Sequence, residues 1–278
     1  MLKRTLTSAV LLPILAAFII FGDLPLKLFI SLLIAIGLFE VYSAFGGGKL
    51  KIVHYCGFVF AAVYLCFIDN LRNTNLMTII LISFILCLST LLVIFHKKIT
   101  IVDCAETLFG FCYVTILMST IYLVQHFEPQ GNVIVWLIFI SAWGSDTGAY
   151  IFGWLFGRHG RHKLIPTLSA KKTWEGAVGG VFSATALSLL YALILSKTTT
   201  NNDPLQFLSF GIVGVLGGTF SQFGDLTASA IKRHTNIKDF GKLLPGHGGI
   251  LDRFDSVLFT APAVFLVMLL MMNRGFAL

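Results

Sequence analysis

Nine stretches of this chain, at about 5–22, 25–45, 52–68, 76–95, 104–125, 131–155, 174–196, 205–231 and 250–273, are almost uninterruptedly apolar. A helix crosses a bilayer core with about 20 such residues. In lipid every backbone N–H and C=O must find a partner within the protein, so runs of this length can only become helices. With hydrophobic residues at 56% of positions, charged residues at 12% and a mean hydropathy of +0.88, no soluble domain is left over. The reading is all-α, a polytopic integral membrane protein of about nine transmembrane helices. The first stretch follows Lys3-Arg4 as a signal peptide would, but no small-residue cleavage site follows Phe21-Gly22-Asp23-Leu24-Pro25, so it is expected to be a retained helix.

The twenty lysines and arginines orient these helices. With a cytoplasmic N-terminus, fifteen fall on the inner side, in segments that include Lys49, Lys51, Lys97, Lys98, Lys163, Lys171, Lys172, Lys232 and Lys242. Lys27, Arg72, Lys197 and Arg274 fall outside, so the positive-inside rule predicts N-in, C-out. The two longest basic loops, 156–173 and 232–249, are then cytoplasmic. A net charge of +7 reads as these topology signals together with attraction to anionic membrane lipids. No nucleic acid partner is expected, because no basic platform with interleaved aromatics accompanies the charge.

The five cysteines, Cys56, Cys66, Cys87, Cys104 and Cys112, have no CxxC spacing, and the seven histidines are scattered without metal-ligand spacing. Both read as packing or surface residues. Glu40 is an acid within a span of the first half, where hydrogen bonding between helices or an interfacial position outweighs catalysis. Gly176 with Gly180 and Gly214 with Gly218 have the spacing that lets helices approach closely in lipid.

Chemistry is concentrated near the C-terminus. Ser221, Asp225, Ser229 and Lys232 are spaced four, four and three apart, so on a helix they share a face running from mid-membrane to the cytoplasm. Pro245-Gly246-His247-Gly248-Gly249 then precedes the last span, whose first turn carries Asp252 and Asp255 three residues apart. Carboxylates within a membrane segment cost roughly 2.5–3.5 kcal/mol each, so they mark a cavity or site. Glycines at a helix N-terminus let backbone N–H groups approach a phosphate. Three carboxylates, such a nest and several cations are the parts expected where Mg²⁺ holds a polyphosphate. The residues thus point to metal-assisted phosphoryl or nucleotidyl transfer at the cytoplasmic face. They do not identify the substrate.

The run from Ser229-Ala230-Ile231-Lys232-Arg233 through Lys238-Asp239 to His247-Gly248-Gly249-Ile250-Leu251-Asp252-Arg253-Phe254-Asp255 resembles the signature of the phosphatidate cytidylyltransferases, also called CDP-diacylglycerol synthases. Trp143-Gly144-Ser145-Asp146-Thr147-Gly148-Ala149-Tyr150 and Ser169-Ala170-Lys171-Lys172-Thr173-Trp174-Glu175-Gly176 resemble further segments of the family in the same order. Ala170 departs from a common proline, and 158–163 is slightly lengthened. The specific similarity spans about 140–256.

The resemblance implies that CTP and phosphatidate react to give CDP-diacylglycerol and pyrophosphate, with Mg²⁺ required. It also implies an all-helical homodimer in the bacterial inner membrane with the active site facing the cytoplasm. A two-cation centre would fall on Asp225 and Asp252, K⁺ being the second ion, with Asp255 completing the cluster. Lys232, Arg233, Ser229, His247, Gly248, Gly249, Lys171 and Lys172 would meet phosphates. Asp146 is left between an ionic role, capping a helix break and bonding Tyr150. Residues 1–278 form a single membrane domain on this reading, with 1–130 as scaffold or dimer helices and 131–278 as the catalytic helices. The competing readings are a related lipid nucleotidyltransferase or polyprenol kinase, and a cation-coupled transporter, which would need no phosphate nest.

Overall fold

The computed structural model describes residues 2–70, 74–127, 130–157, 162–199, 204–243 and 248–273. Ten helices account for nearly all of them: α1 Leu2–Phe21, α2 Asp23–Phe45, α3 Ile52–Cys66, α4 Thr74–Ile94, α5 Ile101–Gly110, α6 Leu117–Gln125, α7 Gly131–Leu155, α8 Trp174–Thr199, α9 Pro204–His234 and α10 Leu251–Asn273. A π-helical stretch, Phe111–Ile116, joins α5 and α6 without a break.

All nine apolar stretches are therefore helical, but their lengths differ in consequence. Seven helical segments are long and apolar enough to cross a membrane, while Ile52–Cys66 is shorter. At 1.5 Å per residue, the 15 residues of α3 reach about 22 Å, against a hydrocarbon core of about 30 Å. Seven of the nine predicted spans thus meet the length and apolarity of a crossing, α1 is 20 residues long, and α3 is the shortest of the nine.

The all-α expectation also gains one exception. Within the 156–173 excursion, β1 (Lys163–Ile165) and β2 (Ser169–Thr173) pair antiparallel, Lys163 opposite Thr173 and Ile165 opposite Ser169. These strands are too short to show a period-two pattern in the sequence. At the other basic loop, α9 continues to His234, a turn past the predicted end, so that Lys232 and Arg233 are helical. Cations there complement the negative end of the helix dipole.

Large apolar side chains cover the outward faces, among them Leu28, Leu32 and Phe39 of α2, Ile82 and Leu86 of α4, and Val178, Phe182 and Leu190 of α8. This is the pattern of helices whose solvent is lipid. The interior is closed around Tyr42, Phe84, Phe111, Ile121 and Leu258. Helices α7 to α10 pack against one another most extensively. A Cβ on Gly214 would lie 2.6 Å from Thr185 Cα, and one on Gly180 would lie 2.8 Å from the Ser145 carbonyl oxygen, so both glycine pairs serve close approach of α7, α8 and α9.

Many of the charged contacts collect at the two ends of the bundle. At one end Lys27 pairs with Asp69 at 2.7 Å, Tyr122 donates to Asp69, and His126 lies 3.2 Å from Asp23. At the other, the C-terminal part of α2 meets the start of α10, and Lys51 bonds Asp103. Ion pairs at helix ends leave the middle of the bundle apolar, as a bilayer requires.

Candidate active site

The site is assembled where α9 stops and α10 begins. Lys232, on the last turn of α9, places its ammonium 2.7 Å from Asp252 Oδ1 on the first turn of α10. The pair is desolvated, the two side chains being 18% and 5% exposed. Asp252 Oδ2 accepts two backbone hydrogen bonds, from Phe240 N–H at 2.8 Å and from Gly249 N–H at 3.0 Å. The Phe240 ring centroid lies 5.4 Å from the same ammonium. Asp252 thereby binds α9, the 235–243 connection and its own helix start into one unit.

Glu40 reaches this turn from α2. Its Oε1 accepts from Ile250 N–H and its Oε2 from Leu251 N–H, both at 2.9 Å, and the residue is 3% exposed. A carboxylate here satisfies two of the unpaired donors of a helix N-terminus and complements its dipole. Glycine is demanded on either side, because a Cβ on Gly249 or Gly241 would collide with the Glu40 carboxylate. Gly248 adopts φ +83°, a left-handed conformation that glycine adopts without steric cost. The hydrogen bonding between helices expected of Glu40 is thus of a specific kind: the acid caps α10.

This capping bears on the phosphate nest. The N–H groups of Gly249, Ile250 and Leu251 are already engaged by Asp252 and Glu40. A phosphate at Gly249 would have to displace a carboxylate of the protein itself. His247 lies outside the described residues, as does the side chain of Lys171.

A second pair lies deeper. Lys172, from β2, is 2.6 Å from Asp225 Oδ2 on α9, and its ammonium also reaches the Gln222 carbonyl at 3.5 Å. The hairpin thus delivers a cation onto the helical face that carries Asp225. Asp146, from α7, accepts from Ser256 Oγ at 2.8 Å and, at a longer 3.4 Å, from Ser221 Oγ. Those partners, rather than Tyr150, are its hydrogen bonds. Asp255 stands within electrostatic reach of Asp225, Asp146 and Lys232, and its Oδ1 accepts from Ser256 N–H. At this level α9 and α10 touch, since a Cβ on Gly224 would strike the Asp255 carbonyl oxygen.

Asp146, Asp225 and Lys172 line a polar cavity of about 240 Å³. It shares Leu164, Ala177 and Gln222 with an apolar cavity of about 730 Å³ between α8 and α9, otherwise walled by residues such as Val181, Phe182, Val215 and Phe223. Of the remaining predicted residues, Ser229 is half-buried on α9 and Arg233 is exposed. Of the serine partners of Asp146, Ser221 was placed by helical spacing on the face that bears Asp225, whereas Ser256 was not singled out by sequence.

Oxygen-only donors suit a hard cation. Among the described residues no three His, Cys, Asp or Glu gather closely enough to hold a metal alone. The carboxylates of Asp225 and Asp252 are the oxygen donors that could hold such a cation.

Lysine–carboxylate pairs at one end of a lipid-facing helical bundle, beside a cavity that shares wall residues with an apolar one, define an integral membrane protein with a charged site at one face. Residues 2–271 match the cytidylyltransferase family, and the chain belongs to it, among the phosphatidate cytidylyltransferases. It is a nucleotidyltransferase. The phosphatidate cytidylyltransferase of Staphylococcus haemolyticus is 34% identical over 275 residues, covering 96% of this chain and 99% of that protein. Those of Staphylococcus saprophyticus and Staphylococcus aureus are 34% and 32% identical, each over 96% of this chain and 98% of the relative. This membership sets aside the transporter and the polyprenol kinase.

Proposed function

We propose that the protein transfers the cytidylyl group of CTP to phosphatidate, forming CDP-diacylglycerol and releasing pyrophosphate, in a Mg²⁺-dependent reaction at the cytoplasmic face of a bacterial inner membrane. The observation that carries this reading is the pairing of Lys172 with Asp225 and of Lys232 with Asp252 beside a polar cavity that shares the walls Leu164, Ala177 and Gln222 with an apolar one. The apolar cavity suits the acyl chains and the polar one the phosphates.

In the resting protein each ammonium neutralises a carboxylate that would otherwise lie uncompensated in a low-dielectric site. Polyphosphate offers both lysines a competing anion. As Lys172 and Lys232 turn to phosphate oxygens, Asp225 and Asp252 Oδ1 are left to face a cation. Mg²⁺, bound there with substrate phosphates, would supply neutralisation of the charge that develops on the α-phosphorus oxygens and on the leaving pyrophosphate. Asp255 and Asp146 extend this acidic wall, and a second cation such as K⁺ belongs against it. A phosphate oxygen of phosphatidate attacks the α-phosphorus, and the bond to the β-phosphate oxygen breaks. No general base is required, because that oxygen is ionised near neutral pH. The contribution of the chain is alignment of two anions and preorganised charge.

Nine crossings with N-in, C-out orientation put the Lys172 and Lys232 loops on the CTP side, and residues 1–130 are the surface for a homodimer. The test is purified protein with labelled CTP, phosphatidate and a Mg²⁺ titration, read for both lipid-linked nucleotide and pyrophosphate. Absence of either product overturns the reading. Val181→Trp, which fills the apolar cavity, is expected to raise KM for long-chain phosphatidate more than for a short-chain analogue.

A further inference from the structure

Tyr113 lies in the π-helical stretch between α5 and α6, 4% exposed, and its hydroxyl has no hydrogen-bond partner among the described residues. The other buried or half-buried tyrosines differ in this respect. Tyr42 donates to the Thr107 carbonyl at 2.8 Å, Tyr64 bonds Ser119 Oγ at 3.0 Å, Tyr122 donates to Asp69, and Tyr191 donates to the Val133 carbonyl. An unpaired buried hydroxyl is unfavourable and rare, so its position needs a reason.

Its surroundings provide one. The Tyr113 ring stacks on Phe109, with centroids 5.4 Å apart, and stands edge-on to Phe259, one turn beyond Asp255 on α10. The charges its hydroxyl feels most strongly are those of Asp255, then Asp225, then Asp252. An unpaired donor thus lies near the carboxylate cluster without any carboxylate accepting its hydrogen. π-Turns change the register of a helix locally and recur where a side chain must be aimed at a site.

We infer that Tyr113 is a further residue of the active site, whose hydroxyl donates to a phosphate oxygen of the bound substrate beside Asp225 and Asp255. Such a charge-assisted bond is available only with the anion present. Carboxylates repel phosphate, and a neutral donor among them attracts it without adding charge. The inference rests on the reading of the site as a nucleotidyl-transfer centre.

Tyr113→Phe separates this role from a structural one, because it keeps the ring packing and removes an oxygen that has no protein partner. We expect Tm to stay at or above the wild-type value while kcat/KM falls roughly ten- to a hundredfold, the range of a hydrogen bond to a charged group. Varying CTP and phosphatidate separately shows by the split in KM which phosphate is held. Tyr64→Phe is the control: it loses the Ser119 bond, so Tm falls and kcat/KM stays. Wild-type kinetics for Tyr113→Phe, or a loss of Tm matching that of Tyr64→Phe, overturns the inference. A wild-type protein that forms no lipid-linked nucleotide overturns instead the reading on which it rests.

Discussion

Glu40 and Leu251 are 211 positions apart in sequence, yet the Leu251 N–H donates to Glu40 Oε2 at 2.9 Å, and an acid of the N-terminal half thereby sets the start of α10. Glu40→Gln keeps the volume but turns an amide N–H₂ towards a backbone donor. It is expected to destabilise the fold by about 1–3 kcal/mol and to lower turnover, since Asp252 is carried on the same turn. Thermal unfolding in detergent, alongside CTP-dependent product formation, checks both. Gly249→Ala should act in the same direction by crowding Glu40, and the double variant should fall short of the sum of the two, because the sites touch.

Asp225→Asn and Asp252→Asn each remove the charge that balances a lysine and that a hard cation needs. Turnover is expected to fall by roughly 10²–10³-fold in either variant. The double variant should be little worse, since groups acting as a unit are not additive. Asp255→Asn should be damaging but partly rescued by added Mg²⁺, whereas the exposed Asp239 should tolerate Asn. Near-normal turnover by Asp225→Asn or Asp252→Asn at limiting Mg²⁺ would falsify the cation role.

Lys232 and Lys242 separate chemistry from topology. Both count towards the positive-inside signal, but Lys232 is desolvated against Asp252 and Lys242 is exposed. Lys232→Gln strands a buried carboxylate, a change that typically costs about 3–5 kcal/mol, and should abolish most turnover. Lys242→Gln should be mild. Lys172→Gln should resemble Lys232→Gln in turnover, with a smaller loss of stability because Asp225 is more exposed. Equal, small effects at Lys232 and Lys242 with normal membrane insertion would return both to a topological role.

Orientation is testable with single cysteines in a background lacking the five native ones. A cysteine at Asn236, after α9, should be labelled only from the cytoplasmic side. One at Asn70, in the exposed turn after α3, should be labelled only from the opposite side. Labelling of Asn236 from outside would remove CTP from the proposed site.

The helices were legible because lipid leaves a polypeptide few choices: apolar runs at 25–45, 131–155 and 174–196 had to satisfy their own backbones, and they do so as α2, α7 and α8. The number of crossings was less legible, since apolarity does not measure length, and α3 is only 15 residues long. The hairpin escaped notice because three paired residues make no periodic signal. In the site, the face bearing Ser221, Asp225, Ser229 and Lys232 followed from helical spacing alone. At the glycine nest, spacing could not show that Glu40, some 210 positions away, takes the Ile250 and Leu251 N–H groups.

Local spacing and the hydropathy of the chain determined its class, its helical faces and the cluster of chemistry between Asp225 and Asp255, because each depends on residues within a few turns of one another. Tertiary structure alone decided that Lys172 meets Asp225, that Asp146 is held by Ser256, that Glu40 caps α10 and that Tyr113 is left with an unpaired hydroxyl. Hydrogen bonds and ion pairs act over about 3 Å, and which groups come that close across 50 to 211 positions of sequence is set by how the helices pack.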